Sequence, residues 1–101
     1  DARGKGKSMV ILGEGHMDRS PCGTGTTAKM TLLHHRGRFG FDQTFTNTSP
    51  LGTTFQGRLV EETRLGDSTA VVAEVRGSAY ITGAHEFIIE PQDPFQEGFL
   101  L

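Results

Sequence analysis

The sequence is poor in cysteine and in long apolar runs: it contains one cysteine, one tyrosine and no tryptophan among 101 residues. Because a disulfide needs two thiols, Cys22 cannot form one within the chain. Apolar runs such as residues 9–12 are far too short to cross a bilayer. No basic region followed by an apolar stretch resembles a secretory signal. We therefore expect a cytoplasmic protein that does not interact with membranes.

Positive charge is not in excess either. Ten lysines and arginines face twelve aspartates and glutamates, so the formal net charge is −2 and binding to nucleic acid is not expected. Fourteen glycines are typical of short strands and turns. Without an internal repeat or linker, residues 1–101 are expected to form one unit with no internal boundary. Because the sequence begins at Asp1 rather than with methionine, we expect it to be part of a longer polypeptide.

One segment has the composition of a helix. Good helix formers predominate over residues 23–36, and Ala28, Leu32 and Leu33 can share one apolar face. Gly37 follows a basic turn and suits the left-handed conformation that often ends a helix. We therefore predict a helix over residues 23–36, with these three apolar side chains on its buried face.

The rest of the sequence predicts strands and turns. Residues 1–7 mix glycine with basic residues and are expected to form a mobile lead-in, followed by a buried strand over residues 8–12. Beyond the helix, apolar runs separated by turn residues predict antiparallel strands. These runs are residues 39–45, 53–60, 70–75, 79–82 and 87–90. Since one face of a sheet needs an apolar cover, an α+β fold with the sheet packed on one helix is the economical arrangement.

The chemically informative segment is DRSPCGTGTTA, from residue 18 to residue 28. Cys22 stands just before small residues whose backbone N–H groups open the predicted helix. Such groups, with the positive end of the helix dipole, can bind a carboxylate and favour an ionised thiol. Gly23 and Gly25 let a ligand approach the backbone, and Thr24 can cap the helix or donate a hydrogen bond. The segment therefore predicts an anion site beside a reactive thiol.

Structural interpretations of the same residues stay open. A lone cysteine is often a buried apolar residue, and a glycine–threonine run is often a turn and cap. Asp18 precedes Ser-Pro and can cap a turn instead of binding a ligand. A nucleotide-binding loop is excluded because its Gly-Lys-Ser/Thr ending is absent. No metal site is expected, because Cys22 has no cysteine neighbour and the adjacent His34 and His35 do not converge on one ion.

Residues 18–28 closely resemble the second cysteine motif of the proline racemase family, which comprises proline racemases, 4-hydroxyproline epimerases and trans-3-hydroxyproline dehydratases. The resemblance continues through GTTFQG at 52–57, GSAYITG at 77–83 and DPFQEGF at 93–99. It covers almost the whole chain, which would correspond to the C-terminal portion of a family member. The family's first motif, Met-Cys-Gly-His, has no counterpart in these residues.

This resemblance implies a fold similar to that of diaminopimelate epimerase. That fold has two α/β halves, each a curved antiparallel sheet around a central helix, with the active site between them. Each half provides one catalytic cysteine, and this chain would contribute part of the fold with the second. The first would come from the rest of the same polypeptide or from a complementary chain. Family members are often dimers, so a homodimer is also implied.

By position, the resemblance makes Cys22 the acid–base catalyst on one face of the substrate α-carbon. It implies that Gly23 and Thr24 donate backbone N–H bonds to the substrate carboxylate and that Asp18 pairs with the ring ammonium. A thiolate removes the α-proton while a thiol on the opposite face returns one, so inversion needs neither cofactor nor metal. The implied activity is racemisation or epimerisation of proline or a hydroxyproline.

Two other functions stay open. Dehydration of trans-3-hydroxy-L-proline occurs in the same family, but that branch usually carries threonine at the position of Cys22, so the cysteine favours inversion. Leu12 stands where some proline racemases carry an aromatic residue, which leaves the ring substituent of the substrate open. Without the first cysteine, the chain would instead be a non-catalytic module that binds small carboxylates.

Overall fold

Residues 4–100 are described by a computed structural model. Over this range the chain is a mixed α/β unit in which one helix packs on a four-stranded sheet, with a separate two-stranded ribbon. The elements are β1 (Lys5–Lys7), β2 (Ile11–Leu12), β3 (His16–Met17), α1 (Gly23–His35), β4 (Phe45–Thr48), β5 (Thr54–Leu65) and β6 (Ser68–Arg76). The expected combination of a sheet and one helix is confirmed.

The four-stranded sheet has the order β1-β4-β5-β6. The β5–β6 pair is antiparallel, as predicted for these two runs. β4 is also antiparallel to β5, whereas β1 joins β4 in parallel. The prediction of a mobile lead-in over residues 1–7 is therefore wrong for Lys5–Lys7, and residues 1–3 lie outside the described residues. The Thr46 N–H donates to the Gly4 carbonyl at 2.7 Å and the Ser8 N–H to the Thr48 carbonyl at 3.0 Å. Because β1 is held by backbone hydrogen bonds and its sequence, Lys-Gly-Lys, has no apolar side chain, no pattern in the sequence indicated a strand here.

The β5–β6 hairpin turns through Gly66-Asp67, where Gly66 has a φ of 59°. The register shifts at Val60, and beyond this bulge residues 61–69 are exposed on both strands. Arg58 donates to both carboxylate oxygens of Glu74, directly opposite, at 3.2 and 2.9 Å. These bonds and the guanidinium charge hold the pKa of Glu74 below its usual value. The pair is exposed and contributes little to stability.

Helix α1 begins after Cys22 and ends at His35, within one residue of the prediction. Gly37 has a φ of 67°, as expected for a glycine that terminates a helix. Its N–H donates to the His34 carbonyl at 2.8 Å, and the Arg38 N–H donates to the Leu33 carbonyl at 2.8 Å. No helix within residues 4–100 is both long and apolar enough to span a bilayer.

The buried face of α1 differs from the predicted one. Thr26 and Met30 are fully buried, whereas Leu32 is 47% exposed and Ala28 is exposed as well. Leu33 is the one member of the predicted face that packs against the core. The prediction assumed that the aliphatic side chains of α1 would be buried. Instead the helix packs on the sheet through Thr26, whose hydroxyl has a hydrogen-bond partner there.

The core is small and lies between α1 and the sheet. Met30, Phe39, Phe45 and Leu59 are buried, with Val71, Ala73 and Val75 of β6 packed against them. The rings of Phe39 and Phe45 meet edge to face with centroids 5.9 Å apart. Residues 39–45 were predicted to form one strand, yet β4 begins only at Phe45. The preceding residues form an irregular segment that inserts Phe39 into the core.

Three further strand predictions are wrong. Residues 8–12 do not form a buried strand: only Ile11–Leu12 pairs, with β3, and both side chains are more than half exposed. Residues 79–82 and 87–90 are irregular, and Ile81 and Phe87 are 97% and 87% exposed. An apolar run indicates that a segment is buried, but it does not indicate which strand it pairs with. Residues 4–100 contain no strand that pairs with either of these two runs. The exposed stretch, residues 79–100, is called the apolar tail below.

Candidate active site

Cys22 caps the N-terminus of α1 in a strained conformation. Its φ of 66° and ψ of 122° make it the one non-glycine residue with positive φ among residues 4–100. Such backbone geometry costs about 1–3 kcal/mol and persists only where surrounding contacts impose it. The thiol is free and half-buried, and its Sγ accepts a hydrogen bond from the Gly25 N–H at 3.3 Å. The sulfur therefore lies over the first turn of the helix.

The backbone N–H groups of Gly23 and Thr24 point out of the same turn without an acceptor among residues 4–100. The next two amides are occupied, since Gly25 donates to Sγ and Thr26 donates to the Cys22 carbonyl at 3.0 Å. A Cβ placed on Gly23 would meet nothing within 4 Å. Two free donors at the positive end of a helix dipole are suited to an anion.

Asp18 is connected to Cys22 through Ser20. Its two carboxylate oxygens accept from the Ser20 N–H at 2.8 Å and from the Ser20 hydroxyl at 2.9 Å. These bonds, the backbone one foremost, lower the pKa of Asp18 from its ordinary value of 3.8. The Ser20 hydroxyl in turn accepts from the Cys22 N–H at 3.0 Å. Asp18 therefore caps this turn, and its ionised oxygens keep lone pairs with which to accept a ligand ammonium.

Sequence reasoning missed Asn47, which is fully buried in β4. Its Nδ2 lies 2.8 Å from Thr26 Oγ1 and 3.2 Å from the Pro21 carbonyl oxygen. The Thr26 hydroxyl donates to the carbonyl oxygen of Cys22 at 2.7 Å. Asparagine is depleted in strands, so an asparagine between the two threonines of FTNT is a sequence signal that could have indicated a special role for Asn47.

A second contact fixes the start of the cysteine loop. The Thr53 hydroxyl, from the β4–β5 turn, donates to the Arg19 carbonyl at 2.7 Å and lies 2.7 Å from Ser49 Oγ. Arg19 itself is exposed. The loop from Asp18 to Cys22 is therefore held to the sheet at Arg19 as well as at Pro21.

The histidines take no part in this arrangement. His34 is half-buried at the end of α1, with Nδ1 2.8 Å from the Phe39 carbonyl oxygen and its ring edge-on to Phe41. His35 and His16 are exposed. No group of three or more histidine, cysteine, aspartate or glutamate side chains within residues 4–100 is arranged to hold a metal ion.

Two shallow depressions lie elsewhere on the sheet. One, of about 340 Å³, is lined by β1 and β4, and the other, of about 370 Å³, is lined by Thr44 and residues of β5 and β6. Cys22 lines neither of them. The thiol and the two free amides are therefore not part of either depression.

The chain is similar to known proteins over nearly its whole length. The family model described as proline racemase matches residues 1–100. The chain is 50% identical to the proline racemase of Clostridioides difficile over 95 residues, covering 94% of this chain and 28% of that protein. It is 52% identical to the 4-hydroxyproline 2-epimerase of Streptosporangium roseum over 101 residues, covering 100% of this chain and 30% of that protein.

Other relatives extend the range of named activities. The trans-L-3-hydroxyproline dehydratase of Xenopus tropicalis is 43% identical over 95 residues, covering 93% of this chain and 27% of that protein. A hydroxyproline epimerase from Agrobacterium vitis, solved with bound trans-4-hydroxy-L-proline, superposes with a TM-score of 0.74 at 33% identity. The match covers 94% of this chain and 27% of that one, so the chain spans less than a third of these relatives. Because the family model matches residues 1–100 and the relatives from Clostridioides difficile and Streptosporangium roseum are 50% and 52% identical to the chain, the chain belongs to the proline racemase family.

Proposed function

We propose that this chain provides one wall of the active site of an amino-acid racemase or epimerase that inverts the α-carbon of proline or a hydroxyproline. The observation that carries the proposal is the start of α1, where two free N–H groups stand beside the sulfur of Cys22. Relatives named proline racemase and 4-hydroxyproline 2-epimerase support the substrate class.

In this proposal the substrate carboxylate accepts hydrogen bonds from the Gly23 and Thr24 N–H groups. The helix dipole adds favourable potential at the same point. The ring ammonium needs a charged partner when it leaves water, and Asp18 is ionised and close in sequence to the thiol. The two charged ends of the amino acid would thus be held on either side of the α-carbon.

Proton transfer then follows from the position of the thiol. A Cys22 thiolate takes the α-proton, so that a Cα–H bond breaks, an S–H bond forms and the electron pair moves into the carboxylate. The Gly23 and Thr24 N–H groups stabilise this growing negative charge because they are already oriented toward it. A thiol on the opposite face returns a proton to the α-carbon and inverts it. Nothing is oxidised or reduced, so no cofactor is needed.

The opposing thiol has to come from outside these residues, because the chain has one cysteine. The apolar tail exposes large side chains such as Ile81 and Phe87, and exposed apolar surface of this kind is typical of an interface with another part of a protein. We propose that the chain is the C-terminal portion of a two-lobed fold like that of diaminopimelate epimerase. The rest of the polypeptide would cover the apolar tail and supply the first cysteine. Assembly into a homodimer and a cytoplasmic location stay predictions.

The test uses the full polypeptide in which these residues occur. With L-proline or trans-4-hydroxy-L-proline in D₂O, we expect deuterium at the α-carbon together with inversion, and loss of both in Cys22→Ala. Ser78→Ala, a small change remote in sequence from the loop, serves as the control and should keep the activity.

Two outcomes would replace the proposal. Elimination of water from trans-3-hydroxy-L-proline to give a cyclic imine, without exchange of proline, would assign the dehydratase activity. Protection of Cys22 from alkylation by proline, without exchange or elimination, would assign a carboxylate-binding module.

A further inference from the structure

Asn47 is the buried polar residue that connects most of the elements around the cysteine loop. It lies in β4 with no exposed surface, and its Nδ2 lies within 3.2 Å of acceptors on the loop, on α1 and on Ser8. The Ser8 hydroxyl donates back to Asn47 Oδ1 at 3.2 Å and accepts from Lys29 Nζ at 2.8 Å. One side chain thus joins the loop before Cys22, the helix after it and the segment that follows β1.

The orientation of this amide is dictated by its partners. The Pro21 carbonyl can only accept a hydrogen bond. The Thr26 hydroxyl has its one hydrogen committed to the Cys22 carbonyl, so toward Asn47 it also accepts. A donor is therefore required at this point, and a carboxylate would place oxygen against two acceptors inside the core.

The contacts of Asn47 bracket the strained residue. Pro21 immediately precedes Cys22, and the Thr26 hydroxyl is bonded to the Cys22 carbonyl, so the peptide groups on both sides of Cys22 are anchored. In this conformation, with a φ of 66°, Cys22 accepts the Gly25 N–H at its Sγ. Released from these bonds, a cysteine would relax to a negative φ, because β-carbon sterics disfavour positive values.

We propose that Asn47 is a positioning residue for Cys22: its amide anchors Pro21 and Thr26 and thereby holds the thiol and the free amides of Gly23 and Thr24 in their relative orientation. This inference rests on the proposed function for its catalytic meaning. The geometry it explains, the positive φ of a capping cysteine, exists independently of that function.

The test compares Asn47→Asp and Thr26→Val with Thr26→Ser and Leu59→Ala. Asn47→Asp removes the donor at nearly constant shape, Thr26→Val removes the hydroxyl at constant shape, and Thr26→Ser retains it. Leu59→Ala weakens the buried core without removing a hydrogen bond around Cys22, and so controls for general loss of stability. Alkylation of Cys22 by iodoacetamide is followed across pH by peptide mapping of the full polypeptide, with and without L-proline, alongside thermal unfolding.

We expect Asn47→Asp and Thr26→Val to shift the midpoint of the alkylation profile and to weaken protection by L-proline about tenfold or more, since small misplacements of reacting groups have effects of this size or larger. Thr26→Ser should behave as wild type, and Leu59→Ala should lower the melting temperature without changing the profile. Should Asn47→Asp fail to fold, Thr26→Val alone decides the question.

A wild-type alkylation profile with wild-type protection in Thr26→Val, or in a folded Asn47→Asp, would overturn the proposal. So would an equal shift of the profile in Leu59→Ala, because the effect would then follow stability. If wild type shows neither exchange nor protection, the proposed function fails, while the alkylation profiles still report whether Asn47 orients Cys22.

Discussion

Gly57 of β5 lies directly beneath Met30 of α1: a Cβ placed on Gly57 would come within 2.6 Å of the Met30 Sδ. The same Cβ would lie 3.4 Å from Cγ2 of Thr26, whose hydroxyl binds the carbonyl of Cys22. The absence of a side chain at Gly57 therefore sets how closely the helix approaches the sheet. The depth of the core and the placement of the cysteine loop depend on the same contact.

Gly57→Ala is expected to destabilise the fold by about 1–3 kcal/mol, the usual cost of an extra group in a packed core. Thermal or urea unfolding measures the change. Gly40→Ala is the matched control, because a Cβ at Gly40 meets nothing within 4 Å and its φ is not positive. Equal midpoints for the two variants would show that Met30 yields without cost.

Replacement of Cys22 should reveal the strain in its backbone. Cys22→Gly is expected to be more stable than Cys22→Ala by about 1 kcal/mol, because glycine tolerates positive φ and caps a helix better than alanine. At Thr24, inside the first turn, the order should reverse in favour of alanine. Unfolding midpoints of the four variants check this, and alanine above glycine at both positions would contradict a strained Cys22.

The loss of folding stability at acidic pH should depend on the hydrogen bonds from Ser20 to Asp18. Hydrogen bonds from Ser20 lower the pKa of Asp18, so their stabilising effect is full above the ordinary value of 3.8 and is lost as the pH falls through the lower folded value. Ser20→Ala removes the hydroxyl bond and should raise the pKa of Asp18. Carboxyl carbon NMR titration measures it, with Ser78→Ala as control. An unchanged titration would mean that the hydroxyl does not hold the carboxylate in solution.

Gly23→Ala separates ligand binding from folding. The added Cβ enters open space, so the melting temperature should stay within the range of Gly40→Ala or rise slightly through better helix propensity. If that space is where the substrate carboxylate arrives, protection of Cys22 by L-proline should weaken. Undiminished protection would place the carboxylate elsewhere.

The apolar tail should exchange its amide hydrogens quickly in the isolated chain. Residues 81–89 form no regular structure within the described part of the chain, whereas the β5–β6 hairpin is paired from Gln56 to Arg76 apart from its turn and the bulge at Val60. Hydrogen–deuterium exchange with mass spectrometry should show the contrast and should show slow exchange of residues 81–89 in the full polypeptide. Equally fast exchange there would mean that nothing covers the tail.

Local signals predicted the elements that are local in the sequence. Cys22 and the small residues after it marked the start of α1, and Gly37 marked its end, because helix ends are set by groups within a few residues. The strands of the β5–β6 hairpin were predicted over residues 53–60 and 70–75, where the apolar runs lie. The hairpin continues to its turn at Gly66-Asp67 through exposed residues that have no apolar pattern. The position of the thiol at the helix start followed directly from these signals.

Contacts between distant segments could not be predicted in this way. Pairing of β1 with β4 joins backbone groups and ignores side-chain pattern. Asn47 lies 26 residues from Pro21 and 21 from Thr26, so its role depends on the fold being known. The strands expected at residues 79–82 and 87–90 fail because a strand requires a partner, which an apolar run does not specify.

The parallel pairing of β1 with β4 also has a kinetic consequence. The two strands are separated by roughly forty residues, and bringing the ends of so long a loop together costs conformational entropy. Contacts within the loop do not offset this cost before the strands pair. The β5–β6 hairpin and α1 need no such closure. We expect them to form first, so that Ser8 reaches Asn47, and the cysteine loop becomes rigid, in the last step of folding.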